Sequence, residues 1–150
     1  MGLKVGDKVP DFHSTDTNGN DFDSRSIVGQ KAMVIYFYPK DDTRICTEQA
    51  CSFRDNYQEF KDLGAEVIGI SADSVKSHIQ FKSKYNLPFI LLSDHDKKLR
   101  KLFGVANDLL FIPGRETFVI DKNGIVQMVF NSSREGEIHI KKALQVLQKL

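Results

Sequence analysis

This chain of 150 residues has no excess of either charge sign: 21 Lys and Arg face 20 Asp and Glu, with no basic block and no interleaving of basic and aromatic residues. That argues against a nucleic-acid partner. Long apolar runs are missing too. The longest, Ala32 to Tyr38, falls far short of the roughly 20 residues that cross a bilayer. The amino terminus, M-G-L-K-V-G-D-K-V-P-D-F, lacks the apolar core of a secretion signal, and Gly6 stands where a myristoylation motif needs Ser or Thr. The expectation is a soluble cytoplasmic protein. There is no internal repeat, low-complexity tract or linker, so residues 1–150 read as one domain, long enough to bury a core. Cysteine is scarce, with Cys46 and Cys51 the only two. In a reducing compartment such a pair is more often catalytic or metal-binding than a structural bridge. The histidines, His13, His78, His95 and His139, are scattered and none lies at ligand spacing from a cysteine. They read as surface or half-buried residues, and no metal site is expected.

What is present is a regular alternation of strand and helix. Ala32 to Tyr38 is a continuous apolar, β-branched and aromatic run ended by Pro39, the pattern of a strand buried on both faces. Further strands are expected at Ala65 to Ile70, Phe89 to Leu92, Thr117 to Ile120 and Ile125 to Phe130. Helices are expected from Thr43 to Leu63, closed by Gly64, from Ser74 to Tyr85, and from Asp96 to Phe103, closed by Gly104. Asn123-Gly124 marks a hairpin between the last two strands, and Asp16 to Asn20 turns a small edge hairpin. A final helix opens on a Ser132–Glu135 capping box and carries an apolar stripe at Ile140, Leu144, Leu147 and Leu150. The order predicts an α/β fold, a central mixed β-sheet flanked by helices on both faces. Gly104 to Gly114 is the one longer irregular connection, and it is unusually apolar.

The two cysteines share the first of these helices, Thr43 to Leu63. At 100° per residue, Ala50, Phe53, Tyr57 and Phe60 all fall within roughly 40° of Cys46, which places Cys46 at the centre of the buried stripe. Cys51 falls about 140° away, on the outward side. Cys46 also lies in the first helical turn, where free N–H groups and the positive end of the dipole favour a thiolate. Thr43 stands three residues earlier, at capping-box spacing, with the thiolate where Glu normally sits. Pro39 ends the strand and turns the chain toward the helix. Five helical residues separate the two Cα atoms by about 8.6 Å, beyond the roughly 7 Å a disulfide spans. The segment is therefore either a pair of unrelated thiols or a redox element that unwinds to form the bond.

Pro39, Thr43 and Cys46 match P-x-x-x-T-x-x-C, and in this the chain resembles the peroxiredoxins. Cys51, five residues on, is similar to the subfamily called bacterioferritin comigratory protein or peroxiredoxin Q. Y-F-Y-P-K-D-D-T at 36–43, F-R-D at 53–55, V-I-G-I-S-A-D at 67–73, L-L-S-D at 91–94 and R-E-T-F-V-I-D at 115–121 extend the likeness over nearly the whole chain. The resemblance implies a thioredoxin-like fold and a thiol peroxidase acting on hydrogen peroxide and organic hydroperoxides. It makes Cys46 the peroxidatic cysteine and Cys51 the resolving one. It also names Arg115 as the active-site arginine, which spacing alone does not separate from Arg44 or Arg54, and gives Thr43 and Pro39 to the pocket. It implies recycling by thioredoxin or a similar dithiol and requires no cofactor. A resolving cysteine within the same chain removes the need for a dimer, so a monomer is expected. Arg44-Ile45 replaces the subfamily's Pro-Gly before Cys46, which offers a second cation near the thiolate.

Other readings predict other features. A thiol–disulfide oxidoreductase normally carries C-x-x-C, whereas this chain has C-x4-C. A redox-regulated binding module would present Leu109 to Ile112 as a partner surface. The Lys-rich stretches 97–101 and 141–142 read as solvated helix faces.

Overall fold

The computed structural model describes residues 2–105, 107–108, 112–132 and 136–150. Its centre is β3 (Ala32–Phe37), flanked by the parallel strand β4 (Ala65–Ser71) and the antiparallel strand β8 (Glu116–Ile120). β5 (Ile90–Ser93) pairs in parallel with β4, and β9 (Val126–Asn131) closes the other edge against β8. The amino-terminal hairpin, β1 (His13–Thr15) and β2 (Asp21–Asp23), adds antiparallel strands beside β5. The seven strands run in the order β2-β1-β5-β4-β3-β8-β9. This is the mixed sheet that the strand–helix order predicts. β6 (Asn107–Asp108) and β7 (Ile112–Pro113) form a separate short pair within the irregular 104–114 connection.

Every residue of β3 is buried because the pleat sends alternate side chains into two different cores. Val34 and Tyr36 join Cys46, Ala50 and Phe53 of α1 (Arg44–Asp55), Phe60 of α2 (Tyr57–Asp62), Phe81 of α3 (Val75–Tyr85) and Ile140 of α5 (Glu137–Leu147). Met33, Ile35 and Phe37 face Leu99 and Phe103 of α4 (Lys98–Phe103) together with Phe12 and Phe22 of the amino-terminal segment. Helices do lie on both faces, but unequally. Four cover the side that holds Cys46, and α4 shares the other with non-helical chain. Tyr36 stacks on Phe53 at 4.5 Å between ring centroids, anchoring α1 to the sheet. Gly69 makes room beneath that ring: a Cβ there would come within 2.8 Å of the Tyr36 hydroxyl. Among the described residues no helix is long and apolar enough to cross a membrane.

Local chemistry shifts several expected boundaries. The segment 43–63 is two helices because the Asn56 side-chain amide donates to the Ser52 carbonyl at 2.8 Å and competes with the helical ladder. α4 starts at Lys98, since Lys97 is left-handed and the Asp94 carboxylate accepts from the Leu99 and Arg100 N–H groups at 2.8 and 2.9 Å. Ser132 does not open the last helix. Its N–H still donates to the Arg115 carbonyl at 3.3 Å, so it extends the β8–β9 pairing, and Gly136 is the N-cap of α5. Glu135, the other half of the expected capping box, lies outside the described residues, as do Leu109 to Phe111. The 97–101 stretch is not wholly a solvated face either. Arg100 is buried, donates to the Gly114 carbonyl at 3.2 Å and lies over the Phe37 ring. His78 and His139 are fully buried, not surface residues.

Because Phe53 carries the stacking contact that seats α1, Phe53→Ala is expected to lower unfolding free energy by about 3–5 kcal/mol. Urea denaturation followed by circular dichroism measures it, and a loss below about 1 kcal/mol would contradict this packing.

Candidate active site

β3 delivers the chain to Tyr38 and half-buried Pro39, and a four-residue turn leads into α1. Thr43 is the N-cap in an extended conformation, with φ −93° and ψ 161°. Its hydroxyl does not cap the helix as expected. It donates instead to the Lys40 carbonyl at 2.9 Å, closing the turn on itself. The first helical bond runs from the Thr47 N–H to the Thr43 carbonyl at 2.8 Å, leaving the N–H groups of Arg44, Ile45 and Cys46 without a helical acceptor. They converge at the positive end of the α1 dipole.

Cys46 sits beneath this turn, 1% exposed, with its thiol free. Arg115 donates from Nη2 to the Cys46 Sγ at 3.2 Å and from Nη1 to the Gln49 Oε1 at 2.5 Å. The guanidinium is itself only 3% exposed, so a buried cation lies directly against a buried sulfur. Arg115 Nε and Gln49 Nε2 are buried donors with no acceptor among the described residues, Arg115 contacting the sulfur and Gln49 contacting Arg115. The other two candidate arginines point elsewhere. Arg44 is exposed and pairs with Glu48 at 3.5 Å, so it is not a second cation for Cys46. Arg54 donates to Asp55 and to the Tyr85 carbonyl.

Cys51 occupies the same continuous helix and is half-buried rather than fully outward. Both cysteines are reduced. With α1 regular from Arg44 to Asp55, their Cα atoms stand about 8.6 Å apart and the helix holds no bridge between them.

Three features hold Arg115 in place. It precedes β8, in step with Thr117 and Val119, whose side chains face the core that contains Cys46. Its carbonyl accepts from Ser132. Beside it, His139 of α5 bonds Thr117 Oγ1 through Nδ1 at 2.7 Å and the Ser132 carbonyl through Nε2 at 2.8 Å. A carbonyl only accepts, so Nε2 carries the proton and Nδ1 accepts from Thr117. Burial first, and the nearby Arg115 charge after it, push His139 down to about 4, against a hydrogen bond to the Ser132 carbonyl that works the other way. Gly136 completes the support: a Cβ there would lie 2.8 Å from the Gln49 Cβ, so α5 begins directly against the α1 turn that carries Gln49.

The structure thus brings Cys46 and Arg115 into contact, with Thr43 and Pro39 on the turn above. Gln49 escaped the sequence reading, although it falls roughly 60° from Cys46 on the helix, and a polar residue inside an apolar stripe was the available signal. His139 and Gly136 left no such signal, because their positions depend on how α5 returns to the sheet.

For His139 the sign of the pH dependence is fixed. The folded value lies below the unfolded one near 6.5, so this stabilisation is complete above pH 6.5, declines as pH falls toward 4 and changes no further below it. Its full size is on the order of 3 kcal/mol. Urea unfolding of the wild type and His139→Gln between pH 4 and 7 is expected to show a stability difference that shrinks toward acid pH. A constant difference would refute the neutral buried imidazole.

Residues 5–129 match the model of the AhpC/TSA family. Peroxiredoxin Q of Sedum lineare, named chloroplastic, is 51% identical over 146 residues, covering 97% of this chain and 78% of the relative. Among solved structures, peroxidoxin BcpB of Mycobacterium tuberculosis superposes with a TM-score of 0.91 at 35% identity, covering 99% and 98% of the two chains. The Xanthomonas campestris bacterioferritin comigratory protein, described for alkyl peroxide reduction, superposes with a TM-score of 0.85 at 30% identity over 92% and 90%. These likenesses establish the thioredoxin-like peroxiredoxin fold. They also correct the expected cytoplasmic location, because plant relatives sharing about half of the residues are named chloroplastic. An absent apolar signal speaks only to secretion, and plastid leaders are Ser- and Arg-rich instead.

Proposed function

The chain belongs to the AhpC/TSA family and is a thiol-dependent peroxidase, and from that premise we propose that Cys46 is the peroxidatic cysteine, Cys51 the resolving one and Arg115 the charge partner of both the sulfur and the peroxide. The observation that carries this reading is the 3.2 Å contact between the Arg115 guanidinium and the Cys46 sulfur, both of them buried. A cation held there stabilises negative charge on sulfur before the reaction and on oxygen during it.

The Cys46 thiolate attacks one peroxide oxygen in line with the O–O bond. That oxygen stays on sulfur as a sulfenic acid, and the other leaves with the bonding pair and takes a proton to become water or an alcohol. The Cys46 N–H, which has no helical acceptor, and the spare donors of Arg115 and Gln49 orient the peroxide and receive the charge on the leaving oxygen. The Thr43 hydroxyl uses its hydrogen as donor to the Lys40 carbonyl, so its lone pairs accept from the peroxide O–H. Pro39 walls the turn on the strand side.

Cys51 then condenses with the sulfenic acid, forming the disulfide and releasing water. Since the intact helix separates the two residues, the first turns of α1 unwind for this step. The disulfide is reopened by a dithiol, for which thioredoxin is the proposed donor, and the cycle runs within one domain of a monomer. The substrates are hydrogen peroxide and organic hydroperoxides. The alkyl peroxide activity of the Xanthomonas campestris relative supports the latter.

Cys46→Ser is expected to abolish peroxide turnover, and Arg115→Met to slow attack on peroxide by about 100-fold or more. Full activity in the serine variant would sink the assignment. Mass spectrometry after one equivalent of peroxide should find an intramolecular Cys46–Cys51 disulfide, and two persistent free thiols would contradict it. Amide exchange compared between reduced and oxidised protein should lose protection across residues 43–55 on oxidation. Equal protection in both forms would exclude unwinding.

A further inference from the structure

Five residues before Cys46, the Asp41 carboxylate lies buried against His78, with side-chain exposures of 4% and 1%. His78 Nε2 meets the Leu92 carbonyl at 3.0 Å, so this nitrogen carries a proton. Nδ1 lies 2.7 Å from Asp41 Oδ2, a contact that requires one more proton between the two groups. Asp41 already accepts from the Tyr38 hydroxyl on Oδ1 at 2.5 Å and from the Ser77 hydroxyl on Oδ2 at 2.8 Å. Burial, followed by the Asp41 charge, raises Tyr38 well above its ordinary range, so the phenol remains a donor. With two hydroxyls already donating to this carboxylate, the hydrogen-bond geometry assigns the shared proton to Nδ1. Asp73 lies beside the pair, its Oδ2 accepting from the Asp41 N–H at 2.8 Å and the Ser71 hydroxyl at 2.6 Å.

Asp41, Asp73 and His78 come close enough together to suggest a cation site. Both imidazole nitrogens are already committed to protein acceptors, so no lone pair faces a metal. What the cluster does hold is the turn. Asp41 is fixed to the end of β3 through Tyr38, to α3 through Ser77 and His78, and to the chain after β4 through Asp73. Asp42, forced left-handed at φ 59°, is clamped to the far end of the same helix by Lys84 at 2.8 Å and Tyr85 at 2.6 Å. Arg54, past both cysteines, donates to the Tyr85 carbonyl at 2.7 Å. The stretch that must unwind is thus tied at both ends to one helix.

We propose that His78, as a buried imidazolium paired with Asp41, is a positioning residue for peroxide reduction, holding the turn that presents Thr43 and the free N–H of Cys46 to the substrate. The inference rests on the peroxidatic role of Cys46. In-line attack depends on geometry at the scale of an ångström, and a displacement of that size costs up to about 100-fold in rate. Alkylation of the same thiol by iodoacetamide requires no peroxide-binding geometry.

The test compares stopped-flow rates of Cys46 with hydrogen peroxide and with iodoacetamide in wild type, His78→Gln, Ser77→Ala and Cys46→Ser. His78→Gln is expected to slow the peroxide reaction about 10- to 100-fold and to change alkylation less than about threefold. Ser77→Ala, which removes one donor to Asp41 and leaves the pair in place, should show a smaller loss with the same selectivity. Nitrogen-15 NMR of wild-type His78 should show both ring nitrogens protonated at neutral pH in the reduced and the disulfide forms. This measurement stands even if His78→Gln does not fold. A wild-type peroxide rate in His78→Gln, an equal loss for both reagents, or a neutral His78 ring would overturn the proposal. If Cys46→Ser still turns over peroxide, the assignment of Cys46 fails; if it is inactive while His78→Gln reacts normally, only the positioning role fails.

Discussion

A sulfur atom that is to carry charge inside a protein core requires a cation that has also left water, and the contact between Cys46 and Arg115 meets that requirement at 3.2 Å. Neither group is stable in the core alone. A buried guanidinium without acceptors is as costly as a buried thiolate without donors. Much of the surrounding structure holds the two together. β8 brings Arg115 to the right face of the sheet, Gln49 Oε1 accepts from its Nη1, and His139 stays neutral beside it so that no competing charge is added. The neutral histidine is as much a part of the electrostatic design as the charged arginine.

The two ends of α1 are held by different forces. Ala50 and Phe53 are fully buried, and Phe53 stacks on the central strand, so the second half of the helix is seated by apolar packing. The first turn has no side-chain cap and little apolar burial apart from Cys46 itself. Such a segment opens at lower free energy than the helix it leads into. The proposed cycle draws on both states at one place: peroxide reduction on the folded turn, disulfide formation on the unfolded one.

The sheet and most helices were legible in the sequence because they rest on periodicity and on short-range punctuation. Ala32 to Tyr38 read as a doubly buried strand, and the positions of Gly64, Gly104 and Asn123-Gly124 marked real chain reversals. The inward aim of Cys46 followed from helical angle alone. What stayed hidden depends on contacts far apart in the chain. Thr43 has the spacing of a helix cap, yet its hydroxyl bonds the Lys40 carbonyl. Arg100 lies in a Lys-rich run but is buried over Phe37. The roles of His78 and His139 come from partners 37 and 22 residues away, which no local pattern encodes.

Gly136 extends the reach of the chemistry. With only a hydrogen atom on its α-carbon facing Gln49, the start of α5 lies flush against the backbone of α1. When the first helix loosens, the last one loses the wall it leans on. In the proposed cycle, a bond made between the two sulfurs would thus be felt as slack at the carboxyl-terminal helix, and a visiting reductase would meet two different outlines.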